Sequence, residues 1–153
     1  MAAVTVTFDL VAPNAPAAIR QLGASLAGAP EVVDAARLVA DVLAREVLVP
    51  TYLGHSLALP HARTDAVTAR VVALGRSTLG VPFGPQDELA QLIILIGCPR
   101  AEVSAYLEFS KLLLRRLREP AIRAELLATP DPAQFLKLLE LSGETSAAGA
   151  TRP

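Results

Sequence analysis

One cysteine, Cys98, occurs in 153 residues. A lone thiol closes no internal disulfide, so the expected compartment is the reduced cytosol rather than a secreted, cross-linked framework. An excess of charge of either sign is also lacking: 14 Lys and Arg stand against 15 Asp and Glu, a formal net charge of −1. That balance leaves no electrostatic footprint for a nucleic-acid backbone. Long apolar runs are missing too, although hydrophobic residues make up 52% of the chain and mean hydropathy is +0.44. The longest clean run, Leu92 to Cys98, is far short of the ~18 residues that cross a bilayer. No basic residue precedes an apolar run at the amino terminus, and Asp9 breaks what run there is, so no secretory signal is visible. A soluble protein is expected. Paired-cysteine motifs, glycine-rich phosphate loops, recognisably spaced carboxylate pairs and Gly-x-Ser-x-Gly turns are absent as well.

What is present reads as one domain with a substantial core. Val4 to Leu10 alternates apolar and polar residues, as a half-covered strand does. Asn14 can cap a helix over Ala15 to Leu26, which Gly28 and Pro30 terminate. A second amphipathic helix is expected from about Glu31 to Val47. Beyond the centre of the chain, Arg70 to Leu74 and Gly80 to Gly84 read as two strands, and Leu89 to Gly97 as a strand buried on both faces. Helices follow over about Ala101 to Arg118, Ala121 to Ala128 and Ala133 to Leu141. From Ser142 the composition collapses to Ser, Gly, Thr and Ala, which reads as a disordered tail over residues 142–153 after a domain over residues 1–141. Alternation of strands and helices with neither dominating predicts an α/β fold, a mixed sheet between helical layers.

Both histidines fall in one stretch, Tyr52 to Arg63, where turn formers interrupt two apolar elements. Ser56 to Leu59 suits a short strand that Pro60, lacking a ladder donor, must end. His61 is then left at a strand end, where a rigid element can hold a nucleophile or base that works near neutrality. By itself it fits a structural hydrogen-bonding role as well as a catalytic one. Zinc binding by His55, His61 and Cys98 fails on reach: an extended chain separates the imidazoles by on the order of 20 Å. Cys98 reads as a buried small hydrophobe. The basic residues Lys111, Arg115, Arg116 and Arg118 read as a charged outer helix face.

The segments Thr51-Tyr52-Leu53-Gly54 and Leu57-Ala58-Leu59-Pro60-His61-Ala62-Arg63 resemble the active-site signature of the type 2 IIA domains of the bacterial phosphoenolpyruvate-dependent phosphotransferase system, the fructose, mannitol and nitrogen-regulatory class. Val81-Pro82-Phe83-Gly84, Cys98-Pro99 and Leu117-Arg118-Glu119-Pro120 extend the similarity over some 135 residues. The resemblance implies a three-layer α/β sandwich and a phosphoryl group carried on His61. It further implies receipt from the histidine phosphocarrier protein and delivery to a cysteine of a sugar-specific IIB domain. No metal or organic cofactor is implied, and the membrane is approached only through a permease. Regulatory relatives imply an alternative, a module whose His61 phosphorylation gates docking to a target protein; a degenerate, unphosphorylated binding module is a third.

Residue by residue, Arg45 of the Arg45-Glu46 pair stands where the family places an oxyanion partner, though a solvated helix-end arginine fits the same position. Arg63 falls where a basic or polar residue is common, and His55 where the family has asparagine, either near the site or as a surface turn residue. Two departures stand out. Tyr106 occupies the place of a second histidine; it can donate to a phosphoryl oxygen but, with a pKa near 10, brings no positive charge. Ala62 replaces a usual glycine and would strain the loop at positive φ.

Overall fold

A computed structural model of the chain describes residues 3–143, 145 and 146. The first strand, β1 (Ala3–Thr7), leads into α1 (Ala15–Ser25), whose cap is Asn14: its side chain accepts the Ala17 N–H at 2.9 Å. Helix α2 (Ala35–Leu48) starts later than its apolar period predicts. Asp34 takes the Arg37 N–H at 2.9 Å and fixes the start, while Val32 bridges to Val67 and Val33 donates to the Ala66 carbonyl at 2.9 Å. A capping carboxylate and a competing strand-like pairing thus displace the first predicted turn.

Three short strands follow, β2 (Tyr52–Gly54), β3 (Leu57–Ala58) and β4 (His61–Arg63). Both β3 and β4 pair in parallel with β6 (Leu89–Cys98), registering Leu57 with Leu92 and His61 with Ile96. Pro60 therefore interrupts one run rather than ending it. It has no N–H to give, but its carbonyl accepts the Ile96 N–H at 3.0 Å, and the chain resumes pairing at once. His61 accordingly begins a strand instead of closing one. Ala62 is not among the residues with positive φ, so it carries no strain.

The two strands expected within Arg70 to Gly84 are one, β5 (Val71–Pro82), antiparallel to β6 with a register shift between Arg76 and Val81. Gly75 lies within the strand, where a Cβ would come 2.9 Å from a Leu10 methyl and 3.0 Å from a Leu22 methyl, so these two side chains close over it. Gly80, at φ +82°, supplies the left-handed residue of the irregularity. Then come α3 (Val103–Leu117), α4 (Pro120–Ala128), α5 (Pro132–Leu138) and β7 (Thr145–Ser146), which pairs with β1. Of the expected tail, residues 144 and 147–153 lie outside those described.

The sheet runs β2-β3-β6-β5-β1-β7, with β4 also on β6. Alternation along its strands feeds two cores. Val71, Ala73, Ile93 and Leu95 pack with Ile19, Leu22, Leu38 and Val42 of α1 and α2. Val72, Leu74, Ile94 and Ile96 pack with Leu113, Leu117, Leu126 and Phe135 on the other face. This is the three-layer α/β sandwich expected. Among the described residues no helix is long and apolar enough to cross a membrane.

Candidate functional site

A cleft of about 520 Å³ opens between α2, β4 and the start of α3, lined by Arg45, His61, Arg63 and Tyr106 together with Asp41, Arg100, Val103 and Leu107. His61 sits half-buried at its base. Its Nδ1 lies 2.8 Å from the Leu59 carbonyl. A carbonyl oxygen only accepts, so Nδ1 carries the proton and Nε2 the lone pair. Burial lowers the His61 pKa below its ordinary 6.5; the Leu59 hydrogen bond and Glu46 oppose this, while Arg45 and Arg63 reinforce it. The ring is thus a neutral nucleophile around pH 7.

The Tyr106 ring stacks on the imidazole, with centroids 5.6 Å apart and planes 30° from parallel. Burial raises its pKa, so the hydroxyl remains a donor. Tyr106 reaches this place because α3 begins at Val103 and brings its fourth residue over His61. Glu102 makes no side-chain capping bond. The first amides of α3 and the positive end of its dipole are left beside the cleft that Val103 lines.

Helix α2 is held against β4 by Asp41, whose Oδ2 accepts from Thr64 Oγ1 at 2.6 Å and from Arg37 Nε at 3.3 Å. One turn on, Arg45 donates Nη1 to the Val49 carbonyl at 2.9 Å. It therefore closes the helix end, as a helix-end arginine does, and it also lines the cleft. Glu46 faces the loop instead, accepting the Thr51 N–H at 2.8 Å and its hydroxyl at 2.7 Å. Arg100, after β6, pairs with Asp65, after β4, at 3.4 Å. The pair ties the two loops that wall the cleft.

A protein-family model described as "Phosphoenolpyruvate-dependent sugar phosphotransferase system, EIIA 2" matches residues 2–142. The chain belongs to this family. Among EIIA 2 relatives, it is 31% identical over 135 residues to the 2-O-alpha-mannosyl-D-glycerate-specific EIIABC component of Escherichia coli, covering 84% of this chain and 20% of that protein. It is 36% identical over 87 residues to the fructose-specific EIIA component of Haloferax volcanii, 56% of each. The chain thus spans about a fifth and somewhat over half of these relatives. Among solved structures, the Escherichia coli complex of mannitol enzyme IIA with phosphorylated enzyme IIB superposes with a TM-score of 0.78 at 28% identity, over 89% of this chain and 94% of that one.

Four residues picked from the sequence of this EIIA 2 domain, His61, Arg45, Arg63 and Tyr106, line the same cleft. His55 does not join them. It lies exposed in the β2–β3 turn and lines a different cleft. Cys98 is buried in β6 opposite Arg63. Among the described residues no group of three or more His, Cys, Asp or Glu is placed to hold a metal ion. Sequence reasoning missed Asp41 and Arg100. Asp41 was readable as lying one helical turn before Arg45 on the same face; nothing local marked Arg100, whose place depends on β4 and β6 being neighbours.

Proposed function

We propose that this domain is a phosphohistidine carrier, with Nε2 of His61 as the acceptor. In the forward step the Nε2 lone pair attacks the phosphorus of a phosphohistidine on the histidine phosphocarrier protein. The donor's N–P bond breaks, its imidazole keeps that electron pair, and a new N–P bond forms on His61. In the second step a cysteine thiolate of a IIB domain attacks the same phosphorus and His61 Nε2 leaves. No cofactor is required, because both steps are in-line displacements that depend on alignment and charge neutralisation. The guanidinium of Arg45 can give parallel donors to the equatorial oxygens, with Arg63 and Arg100 adding positive charge at the same cleft. Tyr106 supplies a neutral donor where a charged one is the family habit.

The observation that carries this reading is the 2.8 Å contact between Nδ1 and the Leu59 carbonyl, which fixes the tautomer with Nε2 nucleophilic in a cleft lined by arginines. The rim supports transfer between proteins: Val47, Leu48 and Val49 at the end of α2 are 83%, 76% and 59% exposed, and Leu107 on α3 is 59% exposed. Apolar surface of this kind beside a reactive group suits transient docking. The solved relative bound to a phosphorylated IIB agrees with that partner class.

The decisive experiment incubates the protein with phosphoenolpyruvate, the general first enzyme and the histidine phosphocarrier. Intact mass then reads out one acid-labile phosphate, with His61→Ala as control. A phosphate absent from His61→Ala supports the carrier; no phosphate with a cognate donor leaves a degenerate binding module as the better account.

A further inference from the structure

Helix α3 walls two clefts. Its first turns face His61, whereas Leu114, Leu117 and Arg118 at its other end face a separate one of about 350 Å³. The β2–β3 hairpin closes that second cleft with Leu53, His55 and Leu57, and α4 adds Arg123. No residue is shared between the two. The phosphoryl chemistry proposed above makes no use of it.

Its lining is divided by chemistry. Four leucines make the floor, and Arg118, Arg123 and His55 make the rest, with no carboxylate among them. Arg123 is fixed in place: Nη1 donates to the carbonyls of Leu117 at 2.8 Å and Arg118 at 3.0 Å, so its remaining donors are held at the corner between α3 and α4. The backbone that carries His55 is constrained as well. Gly54, His55 and Ser56 have φ of +84°, +52° and +61°, and the Ser56 N–H donates to the Tyr52 hydroxyl at 3.2 Å. Consecutive non-glycine residues rarely hold the left-handed region, yet this turn places His55 on the same cleft as Arg118 and Arg123, beside an apolar floor.

We propose that this second cleft binds a small amphipathic anion, its aliphatic body on the leucines and its carboxylate or phosphate head among Arg118, Arg123 and His55. The volume lies at the small end of ligand sites, ~300–1,000 Å³. Guanidinium forks recognise either head in parallel. A bare oxyanion would leave the leucines wet, and an uncharged hydrocarbon would leave the cations unanswered.

The test is a methyl and amide NMR titration of the full, unphosphorylated chain with octyl phosphate, octanoate, octanol and inorganic phosphate. It reads binding alone, so its failure is separable from failure of the carrier chemistry. One or both octyl anions should shift Leu53, Leu57, Leu114 and Leu117 saturably, the tighter of the two assigning the head group. Octanol and inorganic phosphate should bind about tenfold more weakly or worse, and exposed Arg118→Gln should weaken the anion about tenfold while the native spectrum persists. His55→Ala should weaken it in the same direction. The proposal is overturned if neither anion gives saturable shifts, or if shifts centre on the His61 cleft. It is equally overturned if octanol or phosphate binds as tightly as the octyl anions, or if Arg118→Gln changes nothing.

Discussion

Nε2 of His61 is nucleophilic only while the ring is neutral, so the pKa of this one group sets the acid limit of the proposed phosphoryl transfer. Burial places it below the ordinary 6.5. Phosphoryl acceptance should therefore be above half its plateau at pH 6.5 and reach half only under more acid conditions, as a pH–rate profile of single-turnover phosphorylation would show. Half-maximal acceptance above pH 6.5 contradicts the assignment. Stability follows the same proton. With the folded pKa below the unfolded one, the unfolded chain protonates first. Stability present above pH 6.5 is then lost as pH falls from there through the folded value, and His61→Gln should remove that part of the slope of Tm against pH. Tyr106 gives a second expectation. If its hydroxyl donates to a phosphoryl oxygen, Tyr106→Phe keeps the stack on His61 but slows acceptance about tenfold, the worth of one hydrogen bond to a charged group. An unchanged rate would reduce Tyr106 to a packing residue.

Elements matter because the cleft is where α2, β4 and α3 meet, and each is held by a particular contact. Thr64 is fully buried. Its hydroxyl donates to Asp41 at 2.6 Å and accepts the Ala66 N–H at 3.0 Å, fastening α2 to the end of β4. Thr64→Val keeps the shape but leaves a buried N–H without its acceptor, at a cost of about 1–3 kcal/mol. Because Arg45 sits one turn along α2 from Asp41, the same change should also slow acceptance. Urea melts with single-turnover rates check both, and a loss of stability with full activity would separate the fastening from the chemistry. The strands argue alike. In the sequence Pro60 reads as a terminator and Gly80 as a strand boundary, because local signals report what a residue permits. Here a neighbouring strand uses the Pro60 carbonyl, and β5 runs on through Gly80.

Taken whole, the molecule has two cores on opposite faces of one sheet, with β5 giving Val71 and Ala73 to one and Val72 and Leu74 to the other. Shared strands should make them melt together. Leu38 and Leu126, each 0% exposed, belong one to each core. Leu38→Ala and Leu126→Ala should each cost about 2–5 kcal/mol and lower a single transition seen identically by far-ultraviolet circular dichroism and by calorimetry. Two separated transitions would show that the layers fold independently. Arg76 adds a strap across one face, donating to the Leu126 and Thr129 carbonyls at 3.0 and 2.6 Å while stacking on Phe8.

The layers, and the stretch that supplies a histidine to the cleft, were legible in the sequence alone. Periodicity reports which face of an element is buried, and the run around His61 is chemically distinctive in a chain with two histidines. It also placed Arg45 at the end of its helix and Tyr106 near the start of another, both of which line the cleft. Long-range contacts were needed to make β5 one strand, to open a strand at His61, to bring Arg100 and Asp41 to its cleft, and to put His55 on another. Each of these depends on partners distant in sequence. Hydrogen-bond pairing and packing across the sheet, not local preference, choose among the conformations that local preference allows.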